Sequence, residues 1–88
     1  MKISFDSAKD KSNVAKHGVS LAEAENSEWD DCLAGPDVRR SYGEARLVAI
    51  GYIGLRLYVV VYVDRGAIRR IISLRKANKR EEKRYAEA

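Results

Sequence analysis

The residue types in this sequence that could do chemistry are arginine, lysine, glutamate, tyrosine and a single histidine. His17 follows Lys16, Glu44 and Arg46 stand two positions apart, and Arg75 ends a long apolar run. Cleavage of an RNA phosphodiester needs a base, an acid and cations around the phosphate, because the 2′-hydroxyl of the RNA is itself the nucleophile. Arginine suits the phosphate because its planar fork matches two oxygens. These residue types therefore point to cleavage of RNA without a metal.

Each candidate catalytic residue also has a plain structural interpretation. Histidine is the side chain whose usual pKa lies nearest neutrality, so His17 could be an acid, a base or a phosphate contact. It could equally hydrogen-bond a carbonyl at a helix terminus. Lys16 could bind phosphate or be a solvated charge. Glu44 and Arg46 should share one face of a strand. There Glu44 could be a base and Arg46 a phosphate clamp, or the two could form a surface ion pair that contributes little stability.

Three further residues are candidates for contact with RNA. Tyr62 could stack on an unpaired base, as aromatic side chains commonly do. Arg65 falls in a predicted turn, where a surface role fits it equally well. Arg80 falls in a predicted helix, as does Tyr85, and there helix surface and helix packing are the alternatives.

Arg70 and Arg75 belong to one predicted strand, and alternation of side chains should put them on opposite faces. Arg75 would face the site. Arg70, set among aliphatic residues, must reach a carboxylate or the surface, so it is either structural or directed into a cleft. The face of Arg75 would also carry Arg69, Ile71 and Ser73, and that of Arg70 would carry Ile72 and Leu74.

No metal or cofactor motif stands out, and we predict neither. The one histidine and the one cysteine lie fifteen positions apart, which is no zinc spacing. There is no glycine-rich phosphate loop and no serine–histidine–aspartate signature. Cys32 could be a nucleophile or a small packing residue, and we interpret it as packing because nothing near it in the sequence resembles an activating base.

The elements that must position these residues centre on residues 57–75, which read as two strands joined by a turn at residues 64–66. The first strand is almost wholly apolar, which indicates burial on both faces. A further strand is predicted over residues 44–52, with residues 51–54 as a hairpin connection. Three consecutive strands with short connections predict an antiparallel meander.

Helices are predicted on either side of this meander. After a short possible strand at residues 2–5, Asp6 is the predicted N-cap of a helix over residues 7–16 that ends at Gly18. Ser20 and Glu23 match a capping box that opens a second helix over about residues 21–26. Residues 30–42 read as a loop. Residues 76–88, rich in good helix formers, predict a C-terminal helix that packs weakly.

Length and charge bound the class of protein. Eighty-eight residues form one domain, 1–88, with a core that is only just sufficient. No segment reads as a signal peptide or membrane helix, so we predict a cytoplasmic protein with no membrane partner. Residues 1–38 carry a net charge of −4 and residues 39–88 a net charge of +8. A basic half is expected of a protein that binds phosphates, and it would also suit an acidic protein partner.

Read together, these stretches resemble the BrnT-type toxins. Residues 13–20 (NVAKHGVS) resemble the N-x-x-KHGVS block of that family, and residues 70–75 (RIISLR) resemble its closing strand. The resemblance is collinear over nearly the whole chain and includes the Glu44–Arg46 pair, which favours a functional role for it. Val63 stands where many members have threonine. Between these two blocks the family pattern also matches residues 42–46, 50–51 and 59–62. After the second block it matches residues 80–81 and 85.

The resemblance implies a ribonuclease toxin of a type II toxin–antitoxin module with a RelE-like α+β fold. It implies RNA as substrate and neutralisation by a BrnA-like antitoxin with a ribbon-helix-helix part, so that promoter DNA is contacted only through the antitoxin. The hairpin would then be the floor of a cationic cleft, with Arg75, Arg65 and Arg70 reaching its rim. The turn after His17 and the strand of Glu44 and Arg46 would supply the walls.

Two other functions remain open from the residues alone. The chain could be a non-catalytic module that binds nucleic acid or an acidic partner through its basic half. It could also be an inactive toxin-like protein kept for its complex with an antitoxin. RNA cleavage that survives EDTA would separate the first function from both of these.

Overall fold

The computed structural model describes residues 2–38 and 43–88, and within them five strands form a single mixed sheet. The strands are β1 (Lys2–Ser4), β2 (Leu33–Pro36), β3 (Leu47–Ile53), β4 (Arg56–Arg65) and β5 (Ile68–Lys76). The α-helices are α1 (Ser7–His17) and α2 (Lys79–Glu87), and two 3₁₀ helices span Leu21–Asn26 and Trp29–Asp31. The predicted α+β class is confirmed. Tyr42, part of the block at residues 42–46, lies outside the described residues.

The strand order β1-β5-β4-β3-β2 extends the predicted meander by one strand at each edge. β1 pairs in parallel with β5, whereas the other pairs are antiparallel, so the purely antiparallel prediction was wrong. β2 was predicted as loop because Gly35 and Pro36 are turn formers. A strand of four residues is too short to show a period, and its pairing with β3 decides its conformation.

The central hairpin was predicted correctly, with a turn at Gly66 in the left-handed region (φ 60°). β3 begins later and ends later than predicted. Residues 51–53 belong to the strand, and the turn that follows begins at Gly54 (φ 64°). Glu44 and Arg46 therefore precede β3, and the expectation that they share one strand was wrong.

A β-bulge in β5 reverses the predicted faces of its arginines. Val61 pairs with Ser73, but Tyr62 pairs with Ile71, so Ile72 is an extra residue without an opposite partner. One inserted residue shifts every side chain beyond it to the other face, because side chains alternate with period two. Arg70 therefore lies on the same face as Ser73 and Arg75, and Arg69 and Ile71 lie on the face of Leu74.

One face of the sheet, which we call the N-terminal face, carries the main core. Leu21 and Ala24 of the first 3₁₀ helix are completely buried against it. That helix begins at Ser20, whose hydroxyl accepts from the Ala22 N–H at 3.2 Å. The predicted capping box with Glu23 is not formed, since the Glu23 carboxylate accepts from Asn26 instead. The sheet side of this core consists of Ala49, Val60, Tyr62, Ile71 and Leu74.

The other face, which we call the C-terminal face, carries a smaller core under α2. Leu57, Val59 and Ala77 pack there with Tyr85, whose ring meets the edge of Tyr52 at 5.6 Å between centroids. Apart from Tyr85 and Ala86 the side chains of α2 are charged, so this helix covers only part of the sheet. It begins with a capping box that the sequence reading missed. The Asn78 side chain accepts from the Glu81 N–H, and the Glu81 carboxylate accepts from the Asn78 N–H, both at 2.9 Å.

Candidate functional site

A groove runs along α2 on the C-terminal face of the sheet. We call this cavity of about 230 Å³ the α2 groove. Its floor is apolar because Val59 and Val61 lie next to Val48 of the neighbouring strand. Polar residues surround that floor on three sides, and they are Asp37, Ser73, Arg75, Glu81 and Arg84. The hairpin is thus the floor of a cleft, as predicted, but its walls are α2 and Asp37.

Arg75 projects into the groove and binds Glu81 of α2. Its Nη1 and Nη2 donate to the two carboxylate oxygens at 2.8 and 2.7 Å, so the pair is bidentate. Hydrogen bonds from Arg75 hold the pKa of Glu81 below its usual range, with a further contribution from the nearby charge of Arg84. Glu81 is therefore ionised at neutral pH. The same carboxylate caps α2, so the start of the helix and the groove arginine share one group.

Four polar residues of the groove were not among the site residues predicted from the sequence, and they are Asp37, Ser73, Glu81 and Arg84. Arg84 is the basic residue among them. It lies three positions after Glu81, and residues three apart share one side of a helix. Once Glu81 is known to face β5, this spacing places Arg84 beside it. The sequence alone did not fix which side of α2 faces the sheet, because charged residues surround that helix.

Arg46 and Arg70 lie on the same face of the sheet as the groove without lining it. The Asp37 N–H donates to the Arg46 carbonyl at 2.9 Å, which continues the β2–β3 ladder by one residue. Arg46 therefore shares the face of Asp37 and Val48. Arg70 belongs to β5, lies opposite Val63 of β4 and is half-buried. Both arginines extend the basic character of this face beyond the groove.

Glu44 and Arg65 form an ion pair at the end of the hairpin. Arg65 donates to both Glu44 carboxylate oxygens, at 2.8 to 3.3 Å, and both side chains are substantially exposed. Neither residue lines the groove. The pair ties the segment before β3 to the β4–β5 turn. The structure thus separates Glu44 from Arg46, which the sequence reading had placed together.

Lys16 and His17 form the last turn of α1, which docks on β5 through Asn13, and neither residue lines the groove. Asn13, one helical turn before His17, accepts from the Leu74 N–H at 3.1 Å and donates to the Leu74 and Val19 carbonyls at 2.8 Å. Its amide thereby acts as a short strand partner for the edge of β5. Lys16 is exposed and His17 half-buried, and neither side chain makes an ion pair within the described ranges.

Tyr62 lies in the core of the N-terminal face and is 3% exposed. Trp29 meets its ring edge-on at 5.2 Å between centroids, and the Arg69 guanidinium lies 4.4 Å from its centre. The ring therefore has no free face for an RNA base. Arg69 is also held by a bidentate pair with Asp64 at 2.6 and 2.9 Å, which lowers the pKa of Asp64. This cluster stabilises the fold.

Two remaining candidates are placed by their surroundings. Arg80 is exposed on α2 and lines a second, open cavity beside Leu33. Cys32 packs against the core, and burial raises the pKa of its thiol, as expected of a packing residue. Its Cβ would lie 3.0 Å from a Cβ added at Gly51, so the two backbones approach closely.

Within residues 2–38 and 43–88, no three side chains of histidine, cysteine, aspartate or glutamate come together in a way that could hold a metal ion. No helix in those ranges combines the length and apolar content needed to cross a membrane.

A small α+β domain with guanidinium groups around an apolar groove is suited to binding a phosphate chain. A family model described as "Ribonuclease toxin, BrnT, of type II toxin-antitoxin system" matches residues 5–81. Because the match spans most of the chain, this chain belongs to the BrnT family of type II toxins, as the sequence resemblance indicated. Membership implies an antitoxin partner. No curated protein matches the chain.

Proposed function

We propose that this chain is an endoribonuclease toxin that cleaves RNA in the α2 groove without a metal and is neutralised by a cognate antitoxin. The observation that supports this most directly is the meeting of Arg75 and Arg84 at the rim of an apolar groove. Guanidinium groups bind phosphate oxygens in pairs, and the aliphatic floor can pack against a base or ribose. The family match supplies the reaction class.

In the proposed reaction the RNA 2′-hydroxyl loses its proton to a base and attacks the adjacent phosphorus. The bond to the 5′-oxygen breaks, the leaving oxygen takes a proton from water, and the base returns its own proton to the solvent. The products are a 2′,3′-cyclic phosphate and a 5′-hydroxyl. Arg75 and Arg84 would stabilise the extra negative charge on the phosphorane oxygens. Asp37 and Glu81 are the carboxylates of the groove and the candidates for the base.

Substrate would have to compete with Glu81 for Arg75. A phosphate that takes over the guanidinium fork would release the Glu81 carboxylate, whose pKa would then rise toward its usual value. A carboxylate with a higher pKa is the better base. In this proposal the ion pair of the free protein is therefore exchanged for an arginine–phosphate pair and a more basic glutamate.

The other candidate residues have supporting roles in the proposal. Arg46 and Arg70 would attract RNA along the same face, and Lys16 and His17 would contact RNA that extends past the β5 edge. The proposal also includes a RelE-like fold, a cytoplasmic location and a ribbon-helix-helix antitoxin that alone contacts promoter DNA. These features rest on the resemblance to BrnT-type toxins.

The alternative is a basic module that binds RNA without cutting it. The position of His17 favours this alternative, because the single histidine does not line the groove. A site without histidine must rely on carboxylates and arginines for proton transfer, and arginine is a poor acid.

The test is incubation of the purified chain with RNA in EDTA, followed by mapping of 5′ ends. We expect cleavage products with 5′-hydroxyl ends, and a loss of about 100-fold in rate in Arg75→Ala and Arg84→Ala. Arg56→Ala is the matched control, because Arg56 is exposed on β4 and does not line the groove. Steeply salt-dependent binding without cleavage would establish the alternative instead.

A test in cells uses the neighbouring reading frame. Expression of the chain alone should arrest growth and produce new RNA 5′ ends, and expression with its antitoxin should prevent both effects. Growth arrest without RNA cleavage would contradict the proposed activity.

A further inference from the structure

β2 is the last strand of the sheet among the described residues, and its outer edge is open. The Asp37 N–H bonds to the Arg46 carbonyl, so residues 37 and 46 form a hydrogen-bonded pair of the antiparallel ladder. Such pairs alternate with pairs that do not bond each other. Gly35 and Leu33 therefore bond to β3, while Ala34 directs its N–H and C=O outward.

Pro36 limits what this edge can accept. It lies two residues after Ala34, so its carbonyl also points outward, but it has no N–H. The open edge therefore offers the Ala34 N–H and C=O and the Pro36 C=O. An added strand could form a short ladder there, centred on Ala34.

A basic surface stands directly beside this edge. Between Leu33 of β2 and α2 lies an open cavity of about 560 Å³, which we call the β2 shelf. Its charged side chains are Arg80, Lys83 and Arg84 against the single carboxylate of Glu87. The three basic residues lie at positions i, i+3 and i+4 of the helix, so they form one stripe.

We propose that an extended acidic segment of the antitoxin adds to the outer edge of β2 and lays its carboxylates on the β2 shelf. Strand addition supplies backbone hydrogen bonds at Ala34, and side chains at every second position of the added strand point toward α2. Those positions should therefore carry aspartate or glutamate. The inference rests on the proposed function for the existence of the partner.

The geometry favours a peptide over RNA at this surface. RNA would satisfy the charges of Arg80, Lys83 and Arg84, but it has no backbone amides spaced to pair with a strand edge. A partner that adds a strand must respond to loss of the Ala34 N–H, whereas RNA held by phosphates should not. This difference makes the occupant testable.

The experiment uses the full chain and the full antitoxin encoded in the neighbouring reading frame. Ala34→Pro removes the outward N–H while leaving the bonds to β3, and proline is tolerated at such edge positions. We expect antitoxin affinity to fall about tenfold, as for the loss of one backbone hydrogen bond of about 1.4 kcal/mol. Ala34→Ser keeps the N–H and should bind normally. Equal affinities of the two variants would overturn the proposal.

Hydrogen exchange is the second measurement. It uses the unaltered chain, so its result does not depend on whether a variant folds. The Ala34 amide should be protected in the antitoxin complex and unprotected in the free chain. Protection in the free chain, together with a dimer by light scattering, would assign the edge to a second copy instead. An unprotected amide in the complex, with RNA affinity lowered in Lys83→Glu, would assign the shelf to RNA.

Failure of the proposed function is recognised separately. RNA cleavage by the unaltered free chain is measured alongside the binding experiments. Absence of cleavage with Ala34 protected in the complex would overturn the nuclease and keep the docking site. Cleavage with Ala34 unprotected in the complex would keep the nuclease and overturn the docking site.

Discussion

The Arg75 guanidinium and the Glu81 carboxylate form a bidentate ion pair across the α2 groove, at 2.8 and 2.7 Å. Glu81 belongs to the first turn of α2, and Arg75 belongs to β5, so the pair fixes the helix to the sheet. It also occupies the fork with which Arg75 would bind a phosphate. In the free protein the arginine that we propose as a phosphate contact is therefore held against an internal carboxylate.

Glu81→Gln should raise the affinity of the groove for RNA several-fold. Glutamine can still accept from the Asn78 N–H and so preserve the capping box, but it no longer neutralises Arg75. Only 15% of the Glu81 side chain and 33% of the Arg75 side chain are exposed, so loss of the charged hydrogen bonds should cost about 1–2 kcal/mol of stability. Fluorescence anisotropy with a labelled RNA measures the affinity, and urea unfolding measures the stability.

Glu82→Gln is the matched control for charge. Glu82 is the next residue of α2 and is exposed, and its substitution by glutamine changes the net charge by the same amount. If both variants bind RNA equally more tightly, overall charge explains the effect and the idea that Glu81 competes with phosphate fails.

Acid should destabilise the chain partly through Asp64. Hydrogen bonds from Arg69 lower the pKa of Asp64 in the folded state. The pair therefore stabilises the fold above the unfolded pKa of about 3.9, and this stability is lost as the pH falls through the lower folded value. Because Asp64 is 40% exposed, we expect less than about 1 kcal/mol.

The measurement is the free energy of unfolding of the wild type and Asp64→Asn from about pH 6 to about pH 2.5. The difference between the two should shrink as the pH falls, because protonation removes the ion pair from the wild type. Asp30→Asn, at an exposed carboxylate, should parallel the wild type throughout. A difference that stays constant with pH would rule out this linkage.

Asn13→Ala should destabilise the fold by about 3 kcal/mol, because it removes three hydrogen bonds and leaves buried backbone groups of Leu74 without a partner. Urea unfolding followed through Trp29 measures this loss. Asn26→Ala is the control, since exposed Asn26 makes one long bond of 3.4 Å to Glu23. Equal effects of the two substitutions would show that Asn13 does not hold α1 to β5.

Gly51→Ala should cost about 1–3 kcal/mol of stability through overpacking. The added Cβ would lie 3.0 Å from the Cys32 Cβ, and the combined variant with Cys32→Gly should recover part of the loss. Gly35→Ala is a control within a strand, because its Cβ would have nothing within 4 Å. Thermal or urea unfolding checks both, and a neutral Gly51→Ala would mean that the two strands can separate without cost.

Local sequence signals predicted the elements whose conformation is decided locally. The β-branched run of β4 and the turn at Gly66 defined the hairpin, and Asp6 and Gly18 defined the ends of α1. β2 could not be predicted in this way, because its turn-forming residues are held extended only by pairing with β3.

The candidate site was predicted in its residue types and only partly in its geometry. Arg75 was placed correctly in a strand above an apolar floor. Alternation alone assigned Arg70 and Arg75 to opposite faces, and the bulge at Ile72 puts them on the same one. Nothing in the local sequence marks that extra residue, and the bulge is visible only in the pairing of β5 with β4.

The sequence by itself determined the central hairpin, the resemblance to BrnT-type toxins and the residue types from which we propose an RNA site. Tertiary structure decided which of those residues meet. Docking of α2 brought Glu81 and Arg84 to Arg75, and Asn13 fixed α1 against β5, so that Lys16 and His17 do not line the groove. These contacts depend on how two helices with few apolar side chains dock on the sheet, and the balance of packing that selects that docking is a property of the whole fold.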